Sequence, residues 1–382
     1  MPPVKDIIKE TPLVDMNIST NLCCPNCHSA RLRDAVDSVL CEQCEHSYLV
    51  MFGIIDFREA TIDATANFSI ETDRILAGQL ALAFPFLKTF NELYALFLLL
   101  RTRQSAGDDI TGIDLGRMVL EQNILPRPMS EEQLIHGRAI LDKVYQHIKS
   151  TSYQGPSRGS ALENGGGLGF FIDGFSKHFE NVTVLDFSLA YLVLAKKIVE
   201  ERNLSNVLLI CGSVERLPFR SNSFDFIHSN NVIEHVTNQK AMFAEAKRVV
   251  NATGLFFVLS PNRFSVYFEP HFRLPLFGFI PVPIRRKLIQ VRQRRDIDEI
   301  SLRSLNELRA LALPHFGENT YVSFIPRYMN STVTGGTIRD SIVWCLNSRV
   351  LGAPMNLIVN EIFLGIMPYH VMLCFEHPKL LK

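Results

Sequence analysis

The stretch 159–187 constrains the fold more than any other part of this chain. It runs Gly-Ser-Ala-Leu-Glu-Asn-Gly-Gly-Gly-Leu-Gly from residue 159 and reaches Thr-Val-Leu-Asp-Phe at 183–187. Glu163, Gly165, Gly167 and Gly169 form an acidic-x-Gly-x-Gly-x-Gly run, and 17 residues after Gly169 the apolar segment 182–185 ends in Asp186. A strand that turns sharply into a helix needs φ values that other residues resist, and a ligand approaches a backbone closely only where no Cβ intervenes. Asp186, at the tip of the next strand, is placed to accept hydrogen bonds from a pair of ribose hydroxyls.

The rhythm continues downstream. Apolar 207–211 leads into Gly212-Ser213-Val214-Glu215-Arg216-Leu217-Pro218-Phe219, and Ser223-Phe224-Asp225-Phe226-Ile227 begins another apolar run. Strands alternating with helical patterns indicate a parallel sheet with crossover helices. The spacing predicts strands at 159–163, 182–186, 207–211, 224–230 and 255–260, with helices at 168–179, 189–202 and 238–250, the last ended by Gly254. Ser304-Leu-Asn-Glu307 starts a later helix, and strands at 321–325 and 370–375 follow.

Together these motifs resemble the class I S-adenosylmethionine-dependent methyltransferases, in particular the group that includes the ubiquinone and menaquinone biosynthesis methylases. The resemblance covers about 159–262 and continues more faintly to 326. It implies that Glu163 and the glycines Gly165, Gly166 and Gly167 hold the methionine end of the cofactor. It also implies that Asp186 holds the ribose, and that the last two strands form an antiparallel edge. Where the family often has Gly-Asp-Ala, this chain has Gly212-Ser213-Val214, so a hydroxyl stands where a carboxylate usually meets the adenine amino group. Ser213 and Val214 are thus candidates for the adenine site. Phe187 either lies against the adenine face or covers a helix as a core residue, and Asn230, at a strand tip, is a candidate for the amino-acid end.

Five of the eight cysteines fall within 23–44. Cys24-Pro-Asn-Cys27 and Cys41-Glu-Gln-Cys44 are two Cys-x-x-Cys knuckles 13 residues apart, an arrangement that brings four thiolates to the corners of a tetrahedron around zinc. Cys23 could replace Cys24 by a shift of register, although the two-residue gap favours Cys24. Four cysteines close the coordination sphere, so the metal is structural. With Gly53-Ile54-Ile55-Asp56-Phe57-Arg58 after them, the knuckles resemble the zinc-ribbon module that activates several RNA and protein methyltransferases. The resemblance implies a structural or docking module at 1–60.

Between the two motif regions, 61–150 reads as a helical connector or lid. Two eight-residue apolar runs at 80–87 and 93–100 are too short to span a bilayer. The segment 104–113 reads as a loop, and Ser130-Glu131-Glu132-Gln133 as a capping box opening a helix towards residue 148. The first residues, Met-Pro-Pro-Val-Lys-Asp, lack the pattern of a secretory signal, which points to a cytoplasmic protein.

An insertion at about 261–300 is rich in aromatics and prolines and then carries Arg285, Arg286, Lys287, Arg292, Arg294 and Arg295. Three readings of this basic stretch stand: a solvated helix face, a site for phosphate or a membrane surface, and RNA. An apolar wall beside basic residues suits an amphiphilic acceptor and peripheral membrane contact. With 39 basic against 39 acidic residues, nucleic acid is not expected as an obligatory partner.

Methyl transfer from a sulfonium asks mainly for alignment, plus a base when the acceptor is an oxygen or nitrogen. His235 in Asn231-Val-Ile-Glu-His235 is the candidate catalytic residue, and His271 a weaker one; His228, among apolar strand residues, reads as structural. The expected architecture is α/β, a Rossmann-like seven-stranded mostly parallel sheet with helices on both faces and a small N-terminal zinc ribbon. The catalytic domain is placed at 151–382. The expected activity is methyl transfer from S-adenosylmethionine to a small or lipid-like metabolite. An RNA methyltransferase and a non-catalytic cofactor-binding scaffold are the alternatives, and oligomeric state is open.

Overall fold

The computed structural model describes residues 21–58, 69–104, 112–121, 138–139, 142, 159–265, 269, 272, 274–293, 300–317, 320–323 and 369–375. The capping box at Ser130, residues 105–111 of the expected loop, His271, Arg294 and Arg295 fall outside them, as does the side chain of Arg292.

The ribbon consists of four short antiparallel strands, β1 (Leu32–Ala35), β2 (Ser38–Cys41), β3 (Ser47–Met51) and β4 (Ile54–Asp56). Two helices follow, α1 (Ile70–Ala83) and α2 (Phe90–Gln104), then α3 (Gly112–Glu121). Their buried faces, Leu76, Ala77, Leu80, Leu93, Leu96 and Leu100 among them, join one core with the first two crossover helices. Here the two apolar runs are buried helix faces, as their length requires.

The alternating part then begins. Strand β5 (Ser160–Asn164) leads to α4 (Ile172–His178), β6 (Asn181–Asp186) to α5 (Leu189–Glu201), and β7 (Val207–Cys211) to a long loop and β8 (Phe224–Asn230). Helix α6 (Gln239–Val249), strand β9 (Val250–Pro261), α7 (Val282–Gln293), α8 (Leu305–Phe316), β10 (Thr320–Ser323) and β11 (Tyr369–Phe375) complete the described elements. Local chemistry sets several helix starts. Ser188 and Asn238 accept from the N–H groups of Tyr191 and Ala241, and Ser304 with Glu307 forms a reciprocal capping box.

The strand order is β1-β2-β3-β4-β7-β6-β5-β8-β9-β11-β10. Among the described residues the expected seven-stranded sheet is therefore corrected to an eleven-stranded one, because the four ribbon strands join it. The ribbon does not stand apart: Ile55 and Asp56 of β4 pair in parallel with Ile210 and Cys211 of β7, so an edge that would have been open is occupied. A second contact reinforces the join, because Leu22 bridges to Phe219 and the Cys23 N–H donates to the Pro218 carbonyl. From β4 to β9 the neighbours β4, β7, β6, β5, β8 and β9 run parallel, and β11 and β10 close the far side antiparallel.

Two boundaries differ from the sequence reading. Helix α4 starts at Ile172, not 168, because Gly165, Gly167 and Gly169 all take positive φ and hold 165–171 in a turn. Gly254 does not end α6. The chain passes straight from α6 into β9 at Val250, and a Cβ at Gly254 would lie 2.5 Å from the Val250 side chain and 3.0 Å from the Phe224 carbonyl oxygen.

Candidate functional site

Strands β5 and β8 are neighbours but their connections diverge to opposite faces of the sheet, which opens a crevice at their carboxyl ends. The glycine turn lies there. The N–H groups of Gly165 and Gly166 both donate to the Leu185 carbonyl, at 2.8 and 2.9 Å. Gly165 has φ +94°, and a Cβ on it would stand 2.3 Å from Val232 Cγ2, so both conformation and packing demand glycine. Gly167, at φ +51°, has open space where its Cβ would be.

Asp186 ends β6 beside this turn. Its Oδ2 accepts from the Gly167 N–H at 2.7 Å and its Oδ1 from the Ser188 N–H at 2.8 Å. Burial raises its carboxyl to about 6 against the pull of these two N–H groups; Asp73 adds to the rise and Arg58 opposes it. Two amide bonds leave acceptor capacity on the carboxylate, as a ribose diol requires. Ser213 sits half-buried on the loop after β7, its Oγ accepting the Glu215 N–H at 3.2 Å, and Val214 is buried against the core.

Glu163 is seated in the interior. Its Oε2 lies 2.8 Å from His228 Nδ1 across β5 and β8, with both side chains buried and the rings of Phe171, Phe175 and Phe257 around the imidazole. Burial pushes the Glu163 carboxyl up, and the His228 interaction opposes the rise. Next along the two strands, Asn164 and Ser229 are fully buried. Asn164 Oδ1 and Nδ2, Ser229 Oγ and Asn230 Oδ1 have no protein hydrogen-bond partner among the described residues. Orphaned polar atoms at strand ends need a ligand or ordered water. With the open space at Gly167 and the free acceptor capacity of Asp186, they fit a nucleoside-bearing group. His235 lies just beyond, exposed at the end of the 3-10 turn Ile233–His235.

Arg58, Asp73 and Asp56 escaped the sequence reading, although Asp56-Phe57-Arg58 stood out as the ribbon's tail. Arg58 is fully buried. It bonds both oxygens of Asp56 at 2.8 Å, Asp73 Oδ2 at 2.7 Å and the Phe187 carbonyl at 2.8 Å, and its guanidinium lies 5.6 Å from the Phe187 ring centroid. Burial works against its charge, yet its anionic surroundings hold the guanidinium above its ordinary range. Burial would likewise raise the Asp56 carboxyl, but Arg58 and Arg74 hold it down. Asp73, from α1, accepts from Ser188 Oγ and the Leu189 N–H, both at 2.7 Å.

The candidate metal centre is separate. Cys24, Cys27, Cys41 and Cys44 present Sγ atoms that all lie within 4.8 Å of one another, with Cys24 to Cys44 at 3.6 Å and Cys27 to Cys41 at 3.5 Å. Tetrahedral zinc with Zn–S bonds of about 2.3 Å spaces its sulfurs by roughly 3.8 Å, so the cluster fits that ion. Cys23 is buried outside the cluster, with its N–H on the Pro218 carbonyl.

The insertion presents an unusual surface. Phe272, Leu274, Phe277, Ile289 and Leu302 form a small core of their own, while Phe264, Leu276, Phe279, Val282, Ile284, Leu288 and Val291 remain exposed, Val291 at 78%. Residues 284, 288 and 291 align on one side of α7. Arg286 and Lys287 are exposed on the same helix, whereas Arg285 is half-buried, donating to the Phe277 carbonyl and covering its ring at 4.3 Å. Among the described residues, no helix is long and apolar enough to cross a membrane.

A family model described as a methyltransferase domain matches residues 162–258. The demethylmenaquinone methyltransferase of Geobacillus sp. (strain WCH70) is 33% identical over 101 residues, 25% of this chain and 43% of that protein. The demethylmenaquinone methyltransferase of Listeria welshimeri is 31% identical over 105 residues, covering 26% and 44%. The chain thus spans less than half the length of these curated relatives. The YcgJ protein from Bacillus subtilis superposes with a TM-score of 0.38 at 17% identity, over 61% of this chain and 98% of that one. The segment that builds the glycine turn and the Asp186 site is the segment that matches the methyltransferase domain, and its likeness is to the class I, S-adenosylmethionine-dependent methyltransferases.

Proposed function

We propose that the chain transfers a methyl group from S-adenosylmethionine to a small or lipid-like acceptor. The observation that carries this reading is the pairing of the glycine turn with Asp186, which leaves a carboxylate with spare acceptor capacity beside open backbone at the sheet's switch point. When bound, S-adenosylmethionine supplies an activated methyl group. The chain's own residues would hold and orient it: Asp186 the ribose, the turn 165–167 and Asn230 the amino-acid end, and Phe187 with Ser213 and Val214 the adenine.

Glu163 serves in this reading from the interior, fixing the end of β5 through His228. His235, exposed beyond β8, is the proposed base for an oxygen or nitrogen acceptor. The proposed acceptor class rests on the exposed apolar side chains of Phe264, Phe279, Ile284, Leu288 and Val291 together with exposed Arg286 and Lys287, Phe264 following the carboxyl end of β9. Such a surface suits an amphiphilic molecule and contact with an anionic lipid surface.

Calorimetric titration with S-adenosylhomocysteine, followed by methyl-transfer assays on prenylated phenols and lipid-linked sugars, tests the proposal. Micromolar binding and turnover are expected, with His235→Ala slowing transfer without changing cofactor affinity. Binding without turnover on any acceptor, RNA included, would favour a scaffold; absence of binding would end the cofactor reading.

A further inference from the structure

The zinc ribbon and the candidate cofactor site meet at one buried side chain. Arg58 follows β4 by two residues, and its three donor nitrogens are all used, on Asp56 of the ribbon, Asp73 of α1 and the Phe187 carbonyl of the loop after β6. Asp73 in turn receives Ser188 Oγ and the Leu189 N–H, with the Ala190 N–H at 3.4 Å, so it caps α5 together with Ser188. The loop 186–190 is therefore gripped by its carbonyl from Arg58 and by its amides from Asp73. Asp186, whose carboxylate accepts the Gly167 and Ser188 N–H groups, immediately precedes the gripped residues and is tied to them through Ser188.

We infer that Arg58 is a positioning residue for the cofactor site, acting with Asp73 through the loop 186–190, so that the ribbon's last residues belong to that site. The inference rests on the reading of Asp186 as the ribose-binding carboxylate. Neither Arg58 nor Asp73 has to touch the cofactor. A guanidinium that makes four hydrogen bonds in a buried setting holds its partners far more firmly than an exposed ion pair does. Arg74 offers the contrast: it reaches Asp56 from a partly exposed position and makes no bond to the loop that the structure records.

The surroundings also give a signature that a purely structural role would lack. The charged groups nearest Asp186 are Arg58 and Asp73, with Asp56 and Arg74 behind them; Tyr191 from α5 and Cys211 from β7 are kept neutral by burial, which raises both. Loss of the Arg58 charge raises the pH at which Asp186 ionises, and loss of the Asp73 charge lowers it.

The test measures S-adenosylhomocysteine affinity of the full chain between pH 5 and 8, with zinc content and a thermal melt on each sample. The proteins are wild type, Asp186→Ala, Arg58→Gln, Arg58→Lys, Asp73→Asn and Arg74→Gln. Wild type is expected to lose affinity as pH falls through about 6, the value for Asp186. Arg58→Gln should weaken binding at least tenfold and move that midpoint up, Asp73→Asn should move it down, and Arg74→Gln should leave affinity within about twofold. Arg58→Lys, which keeps the charge but not the fork, should weaken binding with the midpoint in place, and it decides the matter if Arg58→Gln fails to fold. Wild-type affinity in a folded Arg58→Gln or Arg58→Lys protein overturns the inference while leaving the cofactor reading intact. Equal binding by wild type and Asp186→Ala, or none by either, overturns the cofactor reading itself.

Discussion

The backbone N–H of Gly167 lies 2.7 Å from Oδ2 of Asp186, so the turn after β5 and the carboxylate ending β6 are fixed to each other before any ligand arrives. Removing the side chain should free the turn and abolish the diol acceptor together. Asp186→Ala is expected to lower S-adenosylhomocysteine affinity by about 2–3 kcal/mol, the scale of a lost charged hydrogen bond. Calorimetry on a protein with an unchanged melt checks it; affinity equal to wild type defeats the assignment.

The Glu163–His228 pair should be costly to break from one side only. His228→Phe fits an aromatic cluster but strands a buried carboxylate, at a cost of about 3–5 kcal/mol. Adding Glu163→Leu should recover most of it. Because the folded carboxyl of Glu163 is raised above its unfolded value, the stranded group should cost less as the pH is lowered and it takes up a proton. Urea unfolding of the single and double variants at pH 5 and 7.5 reads both effects, and simple additivity would contradict the coupling.

Cys41→Ser should release zinc and loosen the ribbon, because a site that loses one of four thiolates binds far more weakly. As β4 pairs with β7, loosening should spread to the sheet edge and raise proteolysis within 21–58. A metal assay with limited proteolysis checks this, and one zinc per chain in the variant would remove Cys41 from the ligand set.

On α7, the exposed stripe of Ile284, Leu288 and Val291 should insert into an anionic interface. Replacing Arg286 and Lys287 by Gln is expected to weaken binding to phosphatidylglycerol vesicles by about 2 kcal/mol, roughly thirtyfold, at low salt. Leu288→Glu should weaken it comparably. Sedimentation with vesicles measures both; wild-type protein that stays in the supernatant excludes the contact.

The sequence determined what short-range chemistry controls. Positive φ at Gly165, Gly167 and Gly169 is a property of glycine, a carboxylate at the end of an apolar strand run is a matter of spacing, and two knuckles with four thiols mark a cluster that could hold a metal without knowledge of the rest. Tertiary structure alone decided how these parts are joined. The ribbon's place on the sheet edge depends on pairing Ile55 with Ile210, and the grip on the turn after β6 depends on Arg58 reaching a carbonyl 129 positions away. No local pattern carries such information, since an arginine after a ribbon looks the same whether it ends in water or at the centre of a buried network. Glu163 shows the same limit: its place in the motif is read from spacing, but its turn inward to His228 is decided by the packing of β5 against β8.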